Sequence, residues 1–162
     1  MEIERRKIAF TVAGEPKGKE RPRFCHNGQI YTPKQTTIYE QQIIFDYYKQ
    51  CGNAKFNENS QLELSVSAYF KIPKSGSKKK KAEMRIGGIR PTKKPDGDNI
   101  LKAVADALNG VCYKDDKNIV KMSIEKFYSD VPRIEVVVQE VQKVETDEND
   151  GIEMMKEILK YL

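Results

Sequence analysis

From Lys94 to Asp116 the chain reads Lys-Pro-Asp-Gly-Asp-Asn-Ile-Leu-Lys-Ala-Val-Ala-Asp-Ala-Leu-Asn-Gly-Val-Cys-Tyr-Lys-Asp-Asp. Asp96 and Asp98 are two residues apart behind Pro95, which favours an extended entry, so both carboxylates can leave the same side of the backbone. Lys102 lies one helical turn beyond Asp98, within reach of the same point, and Asp106 continues that polar face. The Asp115-Asp116 pair follows a turn, where the chain can fold back toward Asp96. Carboxylates gathered this closely repel one another, and a hard divalent cation removes that cost while keeping open positions for water and phosphate. Oxygen-only ligands suit magnesium, and manganese also fits. Bland alternatives stand beside this reading: Asp98 as a helix cap, Lys102 and Asp106 as a surface ion pair, and Asp115-Asp116 as an ordinary turn. An EF-hand is excluded, because Ile100 and Leu101 stand where that loop needs Asp or Asn and then Gly.

The cations are as unevenly placed as the carboxylates. The 162-residue chain has 29 Lys and Arg against 24 Asp and Glu, a net charge of +5. Residues 71–94 alone hold ten basic residues and one acidic, whereas residues 95–138 hold six and eight. A basic block therefore abuts the carboxylate block. Lys78, Lys79, Lys80 and Lys81 form its densest run, Lys93 and Lys94 close it, and Lys17, Lys19, Arg21 and Arg23 make a second cluster broken by Pro16, Gly18 and Pro22. The two clusters read as the walls of a polyanion groove that grips phosphates rather than bases, although a run of lysines also suits a solvated loop. Tyr31, in the same N-terminal loop, is placed to stack on a base. The single His26 beside Gly28 reads as a loop histidine before a catalytic base. Cys25, Cys51 and Cys112 form no C-x-x-C pair, so they read as reduced thiols and not as a disulfide framework or zinc site.

The elements that must position these groups follow from periodicity. Apolar residues alternate at Ile8, Phe10 and Val12, and again at Leu62, Leu64, Val66 and Ala68, predicting strands over 7–12 and 61–72. Tyr39, Ile43 and Tyr47, with Ile44 and Tyr48, repeat at intervals of four, predicting a helix over 36–50 capped by Thr36 or Thr37 and ended by Gly52. Residues 74–97 carry too many glycines and prolines for a long element and read as a mobile loop, with room for a short helix from Ser77 to Met84. Asp98 to Leu108 reads as a helix with its apolar stripe at Leu101, Val104, Ala105 and Leu108. Strands over 119–128 and 134–141 are expected to pair as an antiparallel hairpin around Asp130-Val131-Pro132. An acidic linker, Glu145 to Asp150, leads to an amphipathic helix over 151–162, with Ile152, Met155, Ile158 and Leu159 as its stripe and docking on this domain or a partner subunit as its expected use. No apolar run approaches the roughly 20 residues that span a bilayer, and the first residues lack a secretory signal, so a soluble cytoplasmic protein is expected.

Taken together, K-P-D-x-D-N-x-x-K-A-x-x-D-A-L-N-G followed by Y-x-D-D resembles the RusA-type Holliday junction resolvases, densely over residues 93–120. Gly18 to Phe24 and the Tyr31-Thr-Pro-Lys segment are similar to what many members carry. Gly97 stands where members often have an apolar residue. The resemblance implies an α+β fold in a single domain, a mixed β-sheet with packed helices, with residues 1–144 as the nuclease domain and 145–162, the acidic linker and C-terminal helix, outside it. It implies a magnesium-dependent endonuclease of phage or prophage type that resolves four-way DNA by paired symmetric nicks in recombination and repair. It further implies a homodimer, and Asp96, Asp98, Asp116 and Lys102 as catalytic residues, with Asp115 as the alternative third ligand. Two other readings are a non-catalytic, structure-selective DNA-binding protein and a metal-dependent nuclease that prefers flaps or single strands.

Overall fold

The computed structural model describes residues 5–141 and 148–162. Its frame is a four-stranded mixed sheet in the order β1-β6-β4-β5, built from β1 (Lys7–Ala13), β4 (Leu62–Lys71), β5 (Ile119–Ser129) and β6 (Arg133–Glu140). The remaining strands, β2 (Arg23–Phe24) and β3 (Ile30–Tyr31), make a separate two-stranded ribbon. The helices are α1 (Lys34–Cys51), α2 (Lys78–Arg85), α3 (Gly97–Leu108) and α4 (Glu148–Leu159).

Alternation along the strands decides which face is covered. Ile8, Phe10 and Val12 of β1, Leu62, Leu64, Val66, Ala68 and Phe70 of β4, and Ile134, Val136 and Val138 of β6 are all buried, and they form one core with Tyr39, Ile43 and Tyr47 of α1 and Ile100, Ala103, Val104, Ala107 and Leu108 of α3. The opposite face carries polar pairs such as the Lys121–Glu63 ion pair at 2.9 Å and the Ser123–Ser65 hydroxyl bond at 3.0 Å. This is the pattern of a sheet with one face packed and one toward water.

The expected hairpin of the last two strands does not form. β4 lies between them, parallel to β5 and antiparallel to β6. Strands lie about 4.8 Å apart, so bridging one intervening strand takes about 10 Å, which three extended residues just cover. Asp130, Val131 and Pro132 make that crossing beyond the end of β4, where the Lys71 ammonium donates to the Asp130 carbonyl at 2.8 Å. The preference for this order is hydrophobic. β4 has the most completely buried face and belongs inside the sheet, while the start of β5 is exposed and suits an edge.

Helix boundaries also differ from expectation. α1 starts after Pro33 without a side-chain cap, and Thr36 is buried instead. Ser77 caps α2 by accepting the Lys80 N–H at 3.2 Å, so the short helix for which Ser77 to Met84 left room does form, as Lys78–Arg85, and carries the lysine run. α4 begins at Glu148, inside the stretch read as an acidic linker, while residues 142–147, with the 144/145 boundary, lie outside the described residues. The α4 side chains Ile152, Met155, Ile158 and Leu159 are exposed, so the expected docking on this domain is not seen.

Candidate active site

The N-terminus of α3 is the centre of the site. Asp96 is its N-cap residue in extended conformation, but its carboxylate makes no capping bond, and Asp98 stands in the first turn. The first described helical N–H groups thus do not consume the Asp96 oxygens. Gly97, between them, allows the helix end to press on the sheet: a Cβ there would meet Ile124 Cγ2 at 3.1 Å. The approach to Asp96 is pinned from β5. Lys126, which local pattern marked only as a strand residue, donates its ammonium to the carbonyls of Lys93 at 2.5 Å and Pro95 at 3.1 Å. Arg90 adds a bond to the Lys126 carbonyl at 2.8 Å and an ion pair to Glu125 at 3.0 Å. Lys93 lies over the rings of Phe70 and Tyr128, 5.5 and 5.9 Å from their centroids.

Across a cleft of about 730 Å³ from Asp96 and Asp98 stands the N-terminal basic loop. Its wall includes Lys17, Lys19, Arg21 and Arg23, and Lys94 joins them beside Pro95 and Asn99. The loop is docked, not free. Gly18 runs so close to α3 that a Cβ would lie 2.9 Å from Asn99 Cβ and 3.0 Å from Pro95 Cβ. The Lys19 N–H donates to the Asn99 carbonyl at 2.8 Å, and the Glu20 N–H to Thr36 Oγ1 at 3.2 Å.

Lys19 takes a different part from its neighbours. Its ammonium is paired with Glu40 at 2.5 Å and with Asp106 at 2.9 Å, and its side chain is only 22% exposed. Partial burial works against its charge, but the two carboxylates outweigh this and hold its pKa above the ordinary lysine range. Asp106 is held below the ordinary carboxylate range for the complementary reason: burial opposes its charge, and bonds from Lys19 and Lys102 overcome that. Lys102 reaches Asp106 Oδ1 at 3.0 Å, so the ion pair one turn on is present and the ammonium is directed to Asp106 rather than Asp98.

Asp115 and Asp116 sit on a 3-10 turn, Asp116–Asn118, packed against α3. Asp115 is spent locally, its Oδ1 accepting the Lys117 N–H at 3.0 Å, and that bond holds its pKa low. Asp116 makes no such cap. The turn is anchored by Tyr113, fully buried, whose hydroxyl donates to the Ala105 carbonyl at 2.7 Å. Burial pushes that hydroxyl's pKa up, and the neighbouring Cys112 and then the charges of Asp116 and Asp106 add to it.

Among the described residues no group of three acidic, His or Cys side chains is gathered closely enough to enclose a metal. Asp96 and Asp98 share the cleft, and Asp116 is not gathered with them. This donor set still fits magnesium, which is commonly held by one or two carboxylates, with waters and substrate phosphates completing the shell. Lys78 to Lys81 do not line the cleft; Lys81 instead donates to the Lys74 carbonyl at 2.7 Å. His26 is exposed in the ribbon turn. That ribbon is the element the sequence reading missed, although Asn27-Gly28 between two short apolar stretches is a recognised hairpin signal. Among the described residues no helix is long and apolar enough to cross a membrane.

The same segments carry the likeness to known proteins. The chain is 39% identical over 139 residues to YqaN of Bacillus subtilis (strain 168), described as an uncharacterized protein, and the alignment takes in 83% of this chain and 96% of that one. Residues 13–139 match the family described as Endodeoxyribonuclease RusA, a span that holds the docked basic loop, the α3 aspartates and the turn bearing Asp116, and the chain therefore belongs to the RusA endodeoxyribonuclease family.

Proposed function

We propose that this protein is a magnesium-dependent endonuclease that resolves four-way DNA junctions, acting as a homodimer that makes paired symmetric nicks in recombination and repair in the cytoplasm. The observation that carries this reading is the cleft in which the Asp96 and Asp98 carboxylates face Lys17, Arg21 and Arg23. A purely cationic groove would bind DNA, and a purely acidic one would repel it. The two together suit a backbone held by cations with its phosphate presented to carboxylates that hold a metal.

Asp96 and Asp98 would hold the ion, with Asp116 as third ligand once substrate is bound; Asp115 is the weaker choice because its oxygen is occupied by the Lys117 N–H. Bound there, magnesium or manganese would supply positive charge to the scissile phosphate and would activate water for attack. The protein's own groups do the rest. Lys17, Arg21, Arg23 and Lys94 grip the flanking phosphates. Lys102 lies one turn from both Asp98 and Asp106, and its half-exposed side chain swings from the Asp106 pair toward Asp98 to offset charge that builds on the phosphate. Two-fold symmetry of a dimer matches the approximate two-fold symmetry of a junction, so both strands are cut in one encounter.

The test is Asp98→Asn assayed on junction, flap, single-stranded and duplex DNA with magnesium. Asn retains helix-start preference and removes one anionic ligand. Cleavage of junctions should fall by about three orders of magnitude with the melting temperature unchanged. Full activity in this variant would show that Asp98 is only part of a helix start, and wild-type cleavage of flaps in preference to junctions would redirect the substrate.

A further inference from the structure

Every residue from Arg21 to Thr32 is exposed, an uninterrupted stretch that contains the β2–β3 ribbon. The ribbon is nonetheless built. Arg23 pairs with Tyr31 and Phe24 with Ile30. The turn is closed by the Cys25 N–H to the Gln29 carbonyl at 2.8 Å and the Gly28 N–H to the Cys25 carbonyl at 3.0 Å, with Asn27 Oδ1 accepting the Gln29 N–H at 3.2 Å. Gly28 takes φ +80°, which a side chain would strain. This ordered element holds its largest apolar side chains in water: Phe24 is 76% exposed and Ile30 63%, opposite each other in register.

Charge selects the occupant of that surface. From Arg21 to Lys34 there are three full cations and no acidic residue, so a second copy of the same ribbon would meet like charge. The ribbon's root, Arg21 to Arg23, lines the cleft that holds Asp96 and Asp98, which places the adjoining Phe24–Ile30 pair beside the nucleic acid backbone that cleft takes. Cations at the root and an aromatic and an aliphatic side chain in the next pair complement a strand whose phosphates lie outward and whose base faces are uncovered. Continuous duplex stacks its bases; a branch point exposes them, and apolar side chains enter at such steps.

We propose that the Arg23–Tyr31 ribbon is a base-contacting element, in which Phe24, backed by Ile30, stacks on a nucleobase uncovered at a DNA branch point while Arg23 holds the adjoining phosphate. The assignment rests on the reading of this chain as an endonuclease of branched DNA, and it adds which surface distinguishes a branch from plain duplex. Arg23 is bound to Glu20 at 2.9 Å in the free protein, and this exposed pair exchanges for the phosphate.

The experiment is equilibrium binding of the full chain to a labelled four-way junction and to a continuous duplex of the same sequence, without divalent ion, across a salt series. Phe24→Ala should weaken junction binding about ten-fold and duplex binding less than two-fold. It should leave the salt slope unchanged, because no phosphate contact is lost, and Phe24→Trp should restore affinity. Arg23→Ala should weaken both substrates and reduce the slope by about one. The exposed position lets Phe24→Ala keep the wild-type melting temperature. Wild-type preference for the junction retained in full by Phe24→Ala overturns the ribbon assignment alone; absence of any junction preference in the wild type overturns the branched-DNA reading with it.

Discussion

Docking of the basic loop on α3 depends on the missing side chain of Gly18, and Gly18→Ala measures that dependence. The added methyl would sit 2.9 Å from Asn99 Cβ and 3.0 Å from Pro95 Cβ, where carbon atoms ordinarily stay about 3.5–4.0 Å apart. Neither neighbour yields easily, since one belongs to a proline ring and the other to the first turn of a helix. The loop must therefore retreat by about 0.5–1 Å, and overpacking of this kind costs about 1–3 kcal/mol. The same displacement stretches the 2.8 Å bond from the Lys19 N–H to Asn99 and draws Lys19 from Glu40 and Asp106. A melting temperature lower by about 5 °C follows for a chain of this size. Loss of registration between the loop cations and Asp96 should reduce junction cleavage by about 10- to 100-fold, the scale of a 1 Å misplacement. Gly88→Ala is the control, because its Cβ would meet the Glu83 carbonyl at an ordinary 3.4 Å. A Gly18→Ala protein that melts and cleaves like the wild type would refute the docked arrangement.

Lys126→Met keeps the aliphatic stem and removes the two bonds to the Lys93 and Pro95 carbonyls; the half-maximal magnesium concentration for cleavage should rise several-fold, while direct manganese binding weakens in parallel and the fold persists. Asp106 is depressed on folding, so its contribution to stability is present above its ordinary pKa of 3.8 and is lost as pH falls through the lower folded value; Lys19 is raised, so its contribution holds below 10.5 and is lost as pH rises through the higher folded value. Thermal melts should therefore plateau between about pH 5 and 10, and Asp106→Asn should lie lower on that plateau and show a smaller drop on acidification toward about pH 3. A chain ending at Val141 should melt within about 2 °C of the full chain, because the α4 apolar side chains Ile152, Met155, Ile158 and Leu159 are exposed and bury little; a larger drop in sedimentation coefficient than the lost mass explains would assign α4 to subunit association.

What the sequence disclosed and what it hid divide along the reach of the interactions. β1, β4, α1 and α3 each announce themselves within a dozen residues, because burial of one face imposes a period of 2 or 3.6 that local order cannot disguise. Strand neighbours are decided elsewhere. A three-residue connection between β5 and β6 is as compatible with stepping over β4 as with a tight hairpin, and the choice turns on which strand has the most apolar face to bury. The aspartates were legible because Asp96, Asp98 and Lys102 fall within seven consecutive residues at the start of one helix, yet the lysine beneath them, Lys126, arrives from a strand about thirty residues downstream, and nothing local distinguishes it from its neighbours. The same limit governs the cations. Lys17, Lys19, Arg21 and Arg23 look equivalent in a basic loop, but Lys19 faces Glu40 and Asp106 and balances them, whereas Arg21 and Arg23 are exposed at the cleft. A charge that neutralises part-buried carboxylates cannot also neutralise a phosphate without leaving them unpaired, so replacing Lys19 should lower the melting temperature while replacing Arg21 should lower the salt slope of DNA binding. The two variants separate a cation that builds the cleft from one that works in it.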